Sequence, residues 1–216
     1  MATSESGESM GCGSWQHAWM GNADEDLGTT TKLELQRKLQ INRDAMVAKL
    51  AGLSEYDMRR PMTPTGSSLL GLVKHLADIE YGYLGESFDR PAPETMSWIE
   101  DGSIWDGADM WPAANESSEY LIGLYRRACA HANRTIAELD LATEGSVAHW
   151  PPDRRRTTLG VLLIRVLDET AHHLGHADII REPIDGSAGA DHDDFGDAAK
   201  WRDYVARIQA AADTFR

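Results

Sequence analysis

The decapeptide ETAHHLGHAD, residues 169–178, gathers three histidines, a glutamate and an aspartate. Imidazoles and carboxylates at that density suit three uses: holding a metal ion, moving protons, or facing water along a helix. Helical spacing begins to separate them. At about 100° per residue, Leu162, Val166, Glu169, His173, His176 and Ile180 share one stripe, and its apolar members turn it inward. Arg165, Asp168 and His172 fall on another stripe with the composition of a solvated face. An inward carboxylate beside imidazoles is costly unless something satisfies it. Glu169 and His173, four residues apart, reach one point in space, as the two histidines of an H-E-x-x-H helix do around zinc. An open metal site needs a third ligand from another element. His75, in GLVKHLADIE, is the candidate, flanked by Leu72 and Ile79 on the apolar side of its own helix. The same residues also permit a metal-free network in which Glu169 and His173 satisfy each other. His172 and His176 repeat the spacing of four and form a competing ligand pair.

These residues need elements to position them. Between Lys32 and Leu53, the positions Leu33, Leu35, Leu39, Met46, Val47 and Leu50 predict an amphipathic helix. The breaker-rich link RRPMTPTGSS follows, and Ser67 or Ser68 can cap LLGLVKHLADIEYGYLGESF. From Phe88 to Asn115 runs a loop with Pro91, Pro93 and Pro112 and with Trp98, Trp105 and Trp111. Connections that long inside a compact domain are uncommon and usually functional or disordered. ESSEYLIGLYRRACAHANRTIAEL restarts a helix after Ser117 or Ser118, and HWPPDRRR breaks it. TTLGVLLIRVLDETAHHLGHADIIRE is the longest helical run, closed by Pro183 and Gly186, and AAKWRDYVARIQAAADTF is a last amphipathic piece. No segment alternates long enough to predict a strand. The expectation is an all-α four-helix bundle with a long interhelical loop and an extra C-terminal helix. Residues 1–30, rich in glycine, serine and acid, read as a flexible N-terminal extension whose odd feature is Trp15 and Trp19; residues 31–216 read as the bundle.

The formal net charge of −14 repels phosphate backbones and argues against nucleic acid as a partner. No apolar run reaches the length of a membrane span. The first 30 residues lack the basic and apolar regions of a signal peptide, and Cys12 and Cys129 make no disulfide framework. The expected setting is a reducing cytoplasm.

Three separated stretches, GLVKHLADIEYGYLGESF, DMWPAANESSEYLIGLYRRACAHANRTI and ETAHHLGHADIIREPIDG, occur in order and resemble the DinB-like superfamily. The nearest branch is the actinobacterial one of mycothiol transferases and domains of unknown function. The resemblance spans roughly Lys32 to Gly189. It implies a four-helix bundle that binds a divalent metal ion (Zn or Ni) through one histidine of the second helix and two residues of the last long helix. Motif by motif, those positions are His75, Glu169 and His173. Many members carry histidine where Glu169 stands, whereas the related mycothiol-dependent maleylpyruvate isomerases carry glutamate. The resemblance further implies His176 as the catalytic proton carrier, Asp178 as a group orienting the ligands, and His172 as an outward residue.

The implied activity is metal-dependent transfer of a low-molecular-weight thiol, mycothiol, to a small electrophile. The isomerases' sterol-carrier-like second domain has no match here, which favours transfer. Two alternatives stay open: a mycothiol-dependent isomerase, and a non-catalytic metal-stabilised bundle that binds a ligand. A homodimer is a further assembly open to such a bundle. Trp98, Trp105 and Trp111 either wall the electrophile pocket or pin the loop. Cys129 reads as a small core residue, Arg154–Arg156 as a solvated loop able to bind a carboxylate, and DHDDFGD as an acidic loop that misses the EF-hand pattern.

Overall fold

Serine caps open two of the long helices. Ser68 sits in extended backbone and its hydroxyl accepts from the Gly71 amide; Ser117 does the same for Tyr120. From these caps run α3 (Leu69–Leu84) and α5 (Ser118–Glu138). The other long helices are α1 (Leu27–Ala48) and α6 (Leu159–Asp185); the latter ends on Gly186 in the left-handed region (φ 76°). Two short helices, α2 (Glu55–Arg59) and α4 (Ser97–Glu100), lie in the connections, and α7 (Ala198–Asp213) closes the chain. This computed structural model describes residues 27–186 and 197–216. Trp15, Trp19, Cys12 and most of DHDDFGD lie outside the described residues. The first helix begins at Leu27, earlier than its apolar spacing indicates.

The chain is all-α, with one small exception. Glu144–Ser146 pairs antiparallel with Arg156–Thr158. Three-residue strands are too short to display an alternating pattern, so sequence spacing gave no sign of them. Among the described residues, no helix is long and apolar enough to cross a membrane.

Four helices form the bundle. α3 packs on α5 and α6, and α1 packs on α6 and more sparsely on α5. The order around the bundle is therefore α1, α6, α3, α5. One core layer joins Met46, Leu50, Leu70, Leu124 and Ile180; the other joins Leu39, Leu84, Ile136, Leu159 and Leu163. Hence α1 and α6 run one way and α3 and α5 the other. Between the layers the buried Arg43 donates from Nε and Nη2 to both oxygens of buried Glu80, at 2.6 and 2.5 Å, and from Nη1 to Asn133 at 2.8 Å.

Because α3 and α5 are parallel neighbours, their connection must travel the length of the bundle, which accounts for the long loop. It is fastened to α3. Buried Lys74 donates to Glu116 (2.9 Å) and to the Trp111 carbonyl (3.1 Å), with its ammonium 3.9 Å from the Trp98 ring centroid. Buried Trp98 donates from Nε1 to Asp78 at 2.7 Å. Gly71 is required where the loop touches down, since a Cβ there would collide with the Met110 carbonyl. No residue of α7 is buried.

Candidate metal centre

The long loop, α3 and α6 meet at the candidate site. His75 on α3 and Glu169 and His173 on α6 each offer a donor atom, and these atoms lie within 4.8 Å of one another. Among the described residues, this is the one group of three such donors that converges. The side chains of His75, Glu169 and His173 are 18%, 27% and 12% exposed, which leaves the site open to small molecules.

His75 is oriented from behind. Its Nδ1 lies 2.6 Å from Oδ2 of Asp109, a buried residue of the loop. With Nδ1–H donating to that carboxylate, Nε2 is left with a free lone pair, the arrangement in which metal-binding histidines are held. His173 lies 5.0 Å from His75, ring centroid to centroid. Burial, and then the neighbouring imidazoles of His75, His176 and His172, push its pKa down to about 4. At neutral pH it is therefore an uncharged imidazole with one ring nitrogen free to offer its lone pair, as a metal ligand must be. Its Nδ1 is buried without a hydrogen-bond partner, and its Nε2 stands 3.6 Å from Glu169, beyond hydrogen-bonding distance. The metal-free network that would satisfy this pair is thus not formed. Two imidazoles and a carboxylate that converge with no hydrogen bond between Glu169 and His173 make a donor set that fits a divalent cation.

The helical register differs from the inward stripe read from sequence. The buried line of α6 runs through Leu159, Leu162, Leu163, Val166, Thr170, Ala177 and Ile180. Glu169 and His173 flank that line, and His176, expected inward, is exposed. Its ring remains 5.5 Å from that of His173 and 4.6 Å from that of His172. His172 is exposed, as its stripe indicated. Asp178 is not brought to the donors: its carboxylate pairs with Lys49 of α1 at 2.5 Å. Arg165 is partly exposed and lies 3.2 Å from Glu169.

Two carboxylates at the site escaped sequence reasoning. Asp109 comes from an irregular loop, where no period reports direction. Asp78 was within reach, one helical turn past His75. Burial, together with the nearby Asp109 charge, pushes Asp78 up to about 7, against the opposing pull of the Trp98 hydrogen bond. Its Oδ1, buried without a partner, is the oxygen left to carry the proton. The folded state then holds that proton more tightly than the unfolded chain, whose aspartate titrates near 3.8. Stability is full below that pH and is lost as pH rises toward about 7. His173, held near 4 instead of 6.5, works the other way between those two values. The Asp78 contribution is therefore read as a difference: the melting advantage of metal-stripped wild type over Asp78→Asn should shrink progressively from pH 4 to 7.5. Equal slopes for the two proteins would remove Asp78 from the account.

Of the tryptophans, Trp98 pins the loop, whereas Trp105 and Trp111 are exposed. Cys129 is buried with its thiol 3.9 Å from Glu80, and burial pushes its pKa well up. It has the setting of an inert core residue.

A crystal structure of a conserved protein from Enterococcus faecalis is similar to this chain, with a TM-score of 0.54 and 14% identity over 70% of this chain and 95% of that one. At that identity the likeness speaks for the fold. No curated protein matches the chain. The family model of mycothiol-S-transferase matches residues 34–186, a span that takes in most of α1, all of α3, α5 and α6, and His75, Glu169 and His173. The chain belongs to the mycothiol-S-transferase family, a DinB-like group.

Proposed function

We propose that this protein is a metal-dependent transferase that joins mycothiol to a small electrophile. The convergence of His75, Glu169 and His173, with Asp109 behind His75, is the observation that supports it. A divalent ion held by these three, zinc or nickel from the mixed imidazole and carboxylate set, would supply a thiolate at neutral pH from a thiol that ordinarily titrates near ~8.5. The residues of the chain do the rest. Asp109 keeps His75 in one tautomer and one orientation. His173, uncharged at neutral pH, keeps one nitrogen lone pair available. We assign the thiol proton to His176, the exposed imidazole beside His173. In the transfer, a carbon–sulfur bond forms as the bond from that carbon to its leaving group breaks. The leaving group departs with the electron pair, and the proton passes to His176 and on to water.

Cys129 takes no part in this reading. Purified protein assayed with mycothiol and 1-chloro-2,4-dinitrobenzene should form the thioether and release chloride. Cys129→Ser should retain most of the turnover, and chelated wild type should lose it. Activity surviving chelation, or a dead Cys129→Ser protein with its metal in place, would move the chemistry to the cysteine.

A further inference from the structure

Beside the metal donors, side chains close a ring around one face of α3. His75 meets Asp109, whose loop leads back to Trp105. The Trp105 ring lies 6.2 Å from that of His149. His149 Nε2 is 3.3 Å from the Tyr83 hydroxyl. The Arg165 guanidinium stands 4.9 Å over the Tyr83 ring and reaches Glu169, which returns to His173. The floor within this ring is α3 itself. His75, Ile79 and Gly82 follow one another at helical steps along one side, and nothing lies within 4 Å of where a Cβ on Gly82 would be. Two turns along that side from His75, then, Gly82 leaves open space over α3, and the wall residues stand around it as a recess.

Two features of its wall are unexplained by folding. Trp105 is 76% exposed although Trp98 already pins the loop. Arg165 lies over Tyr83 and, at 5.5 Å, over Trp150, so its plane is fixed, while most of its N–H edge is not occupied by Glu169. A stacked guanidinium with free edges is preorganised for a carboxylate or similar anion. The surroundings reinforce this: Arg154 and Arg155 are exposed on the adjoining hairpin, in a chain whose net charge is −14. Glu86 is the acidic neighbour of His149, and Arg165 outweighs it there: burial first, and Arg165 next, lower the His149 pKa. The ring therefore offers an uncharged flat face at neutral pH.

We propose that this recess binds the acceptor substrate, a planar, π-conjugated electrophile bearing an anionic group, with its plane against Trp105, the His149 ring inclined beside it at 63° to Trp105, and the anion on Arg165. The word acceptor rests on the thiol-transfer reading; the binding itself does not. The test is made first without thiol, on the full-length metal-loaded protein, by tryptophan fluorescence and calorimetry. The probes are 4-chloro-3-nitrobenzoate, its methyl ester, and cyclohexanecarboxylate. The benzoate should bind, and both comparison compounds should bind at least fivefold more weakly. Trp105→Ala, which touches none of the metal donors, should weaken the benzoate about 3- to 10-fold, the range of one aromatic pair, with metal content unchanged. Arg165→Gln should erase the preference of benzoate over ester. With mycothiol added, the Trp105→Ala effect should appear in KM for the benzoate rather than in kcat. An ester bound as tightly as the acid, or equal binding to wild type and Trp105→Ala, overturns the subsite. Intact, Trp105-dependent binding with no thioether formed from any acceptor overturns the transfer reading instead and leaves a ligand-binding bundle.

Discussion

Alanine at His173 or His75 should empty the candidate metal centre. Wild-type protein, purified without an affinity tag, should carry about one divalent ion per chain by elemental analysis, as a three-ligand open site does. Either substitution leaves one imidazole and one carboxylate, too few donors to hold zinc or nickel against a buffer chelator, and thioether formation should fall to background. Asp109→Asn keeps all three donors but loses the charge behind His75, and should weaken the metal by about 10- to 100-fold. His172→Ala should keep its metal, since His172 is exposed and outside the converging group. Metal lost from His172→Ala but kept in Glu169→Gln would shift the site to the His172/His176 pair.

Arg43→Ala should cost the bundle about 3–5 kcal/mol in urea unfolding of metal-free protein, the usual penalty for stranding one partner of a buried ion pair. Both side chains are sealed between the two core layers, and Arg43 makes the two charged contacts that Glu80 has at short range. Without it, Glu80 keeps a weak contact from the Cys129 thiol at 3.9 Å. Removing both charges together as Arg43→Met/Glu80→Leu should recover much of the loss, because apolar replacements of similar volume often equal or exceed a buried pair. A single-substitution loss under about 1 kcal/mol would mean that water reaches Glu80.

Sequence spacing carried the long helices well because each buries an apolar stripe and three of the helix ends are chemically explicit: the starts at Ser68 and Ser117 and the stop at Gly186. The convergence of His75, Glu169 and His173 was legible for the same reason, from polar residues set among those apolar positions. The rotation of α6 was not. Thr170 and Ala177 look neutral in a hydrophobic pattern, yet they define its buried line, while His176 was counted inward on spacing alone. Thr170 resolves its own burial by donating to the Val166 carbonyl at 2.7 Å, a solution no period reveals. Asp109 was beyond reach because its position depends on where an irregular loop lands, and Asp178 misled because a carboxylate near histidines in sequence can be claimed by a lysine of another helix.

The order of helices around the bundle has a kinetic consequence. Consecutive long helices α1 and α3 stand across a diagonal, as do α5 and α6, and α3 and α5 are parallel. No two successive long helices form an antiparallel hairpin able to nucleate by itself. Contacts such as Arg181 to the Ala48 carbonyl, 133 residues apart, must close before much of the core is buried. Such a chain folds more slowly than an up-and-down bundle of equal length, because distant segments are ordered before they are rewarded. The candidate metal donors of α3 and α6 meet only at the end of that search, so an ion bound there should act on the finished fold, slowing its unfolding while leaving the folding rate nearly untouched.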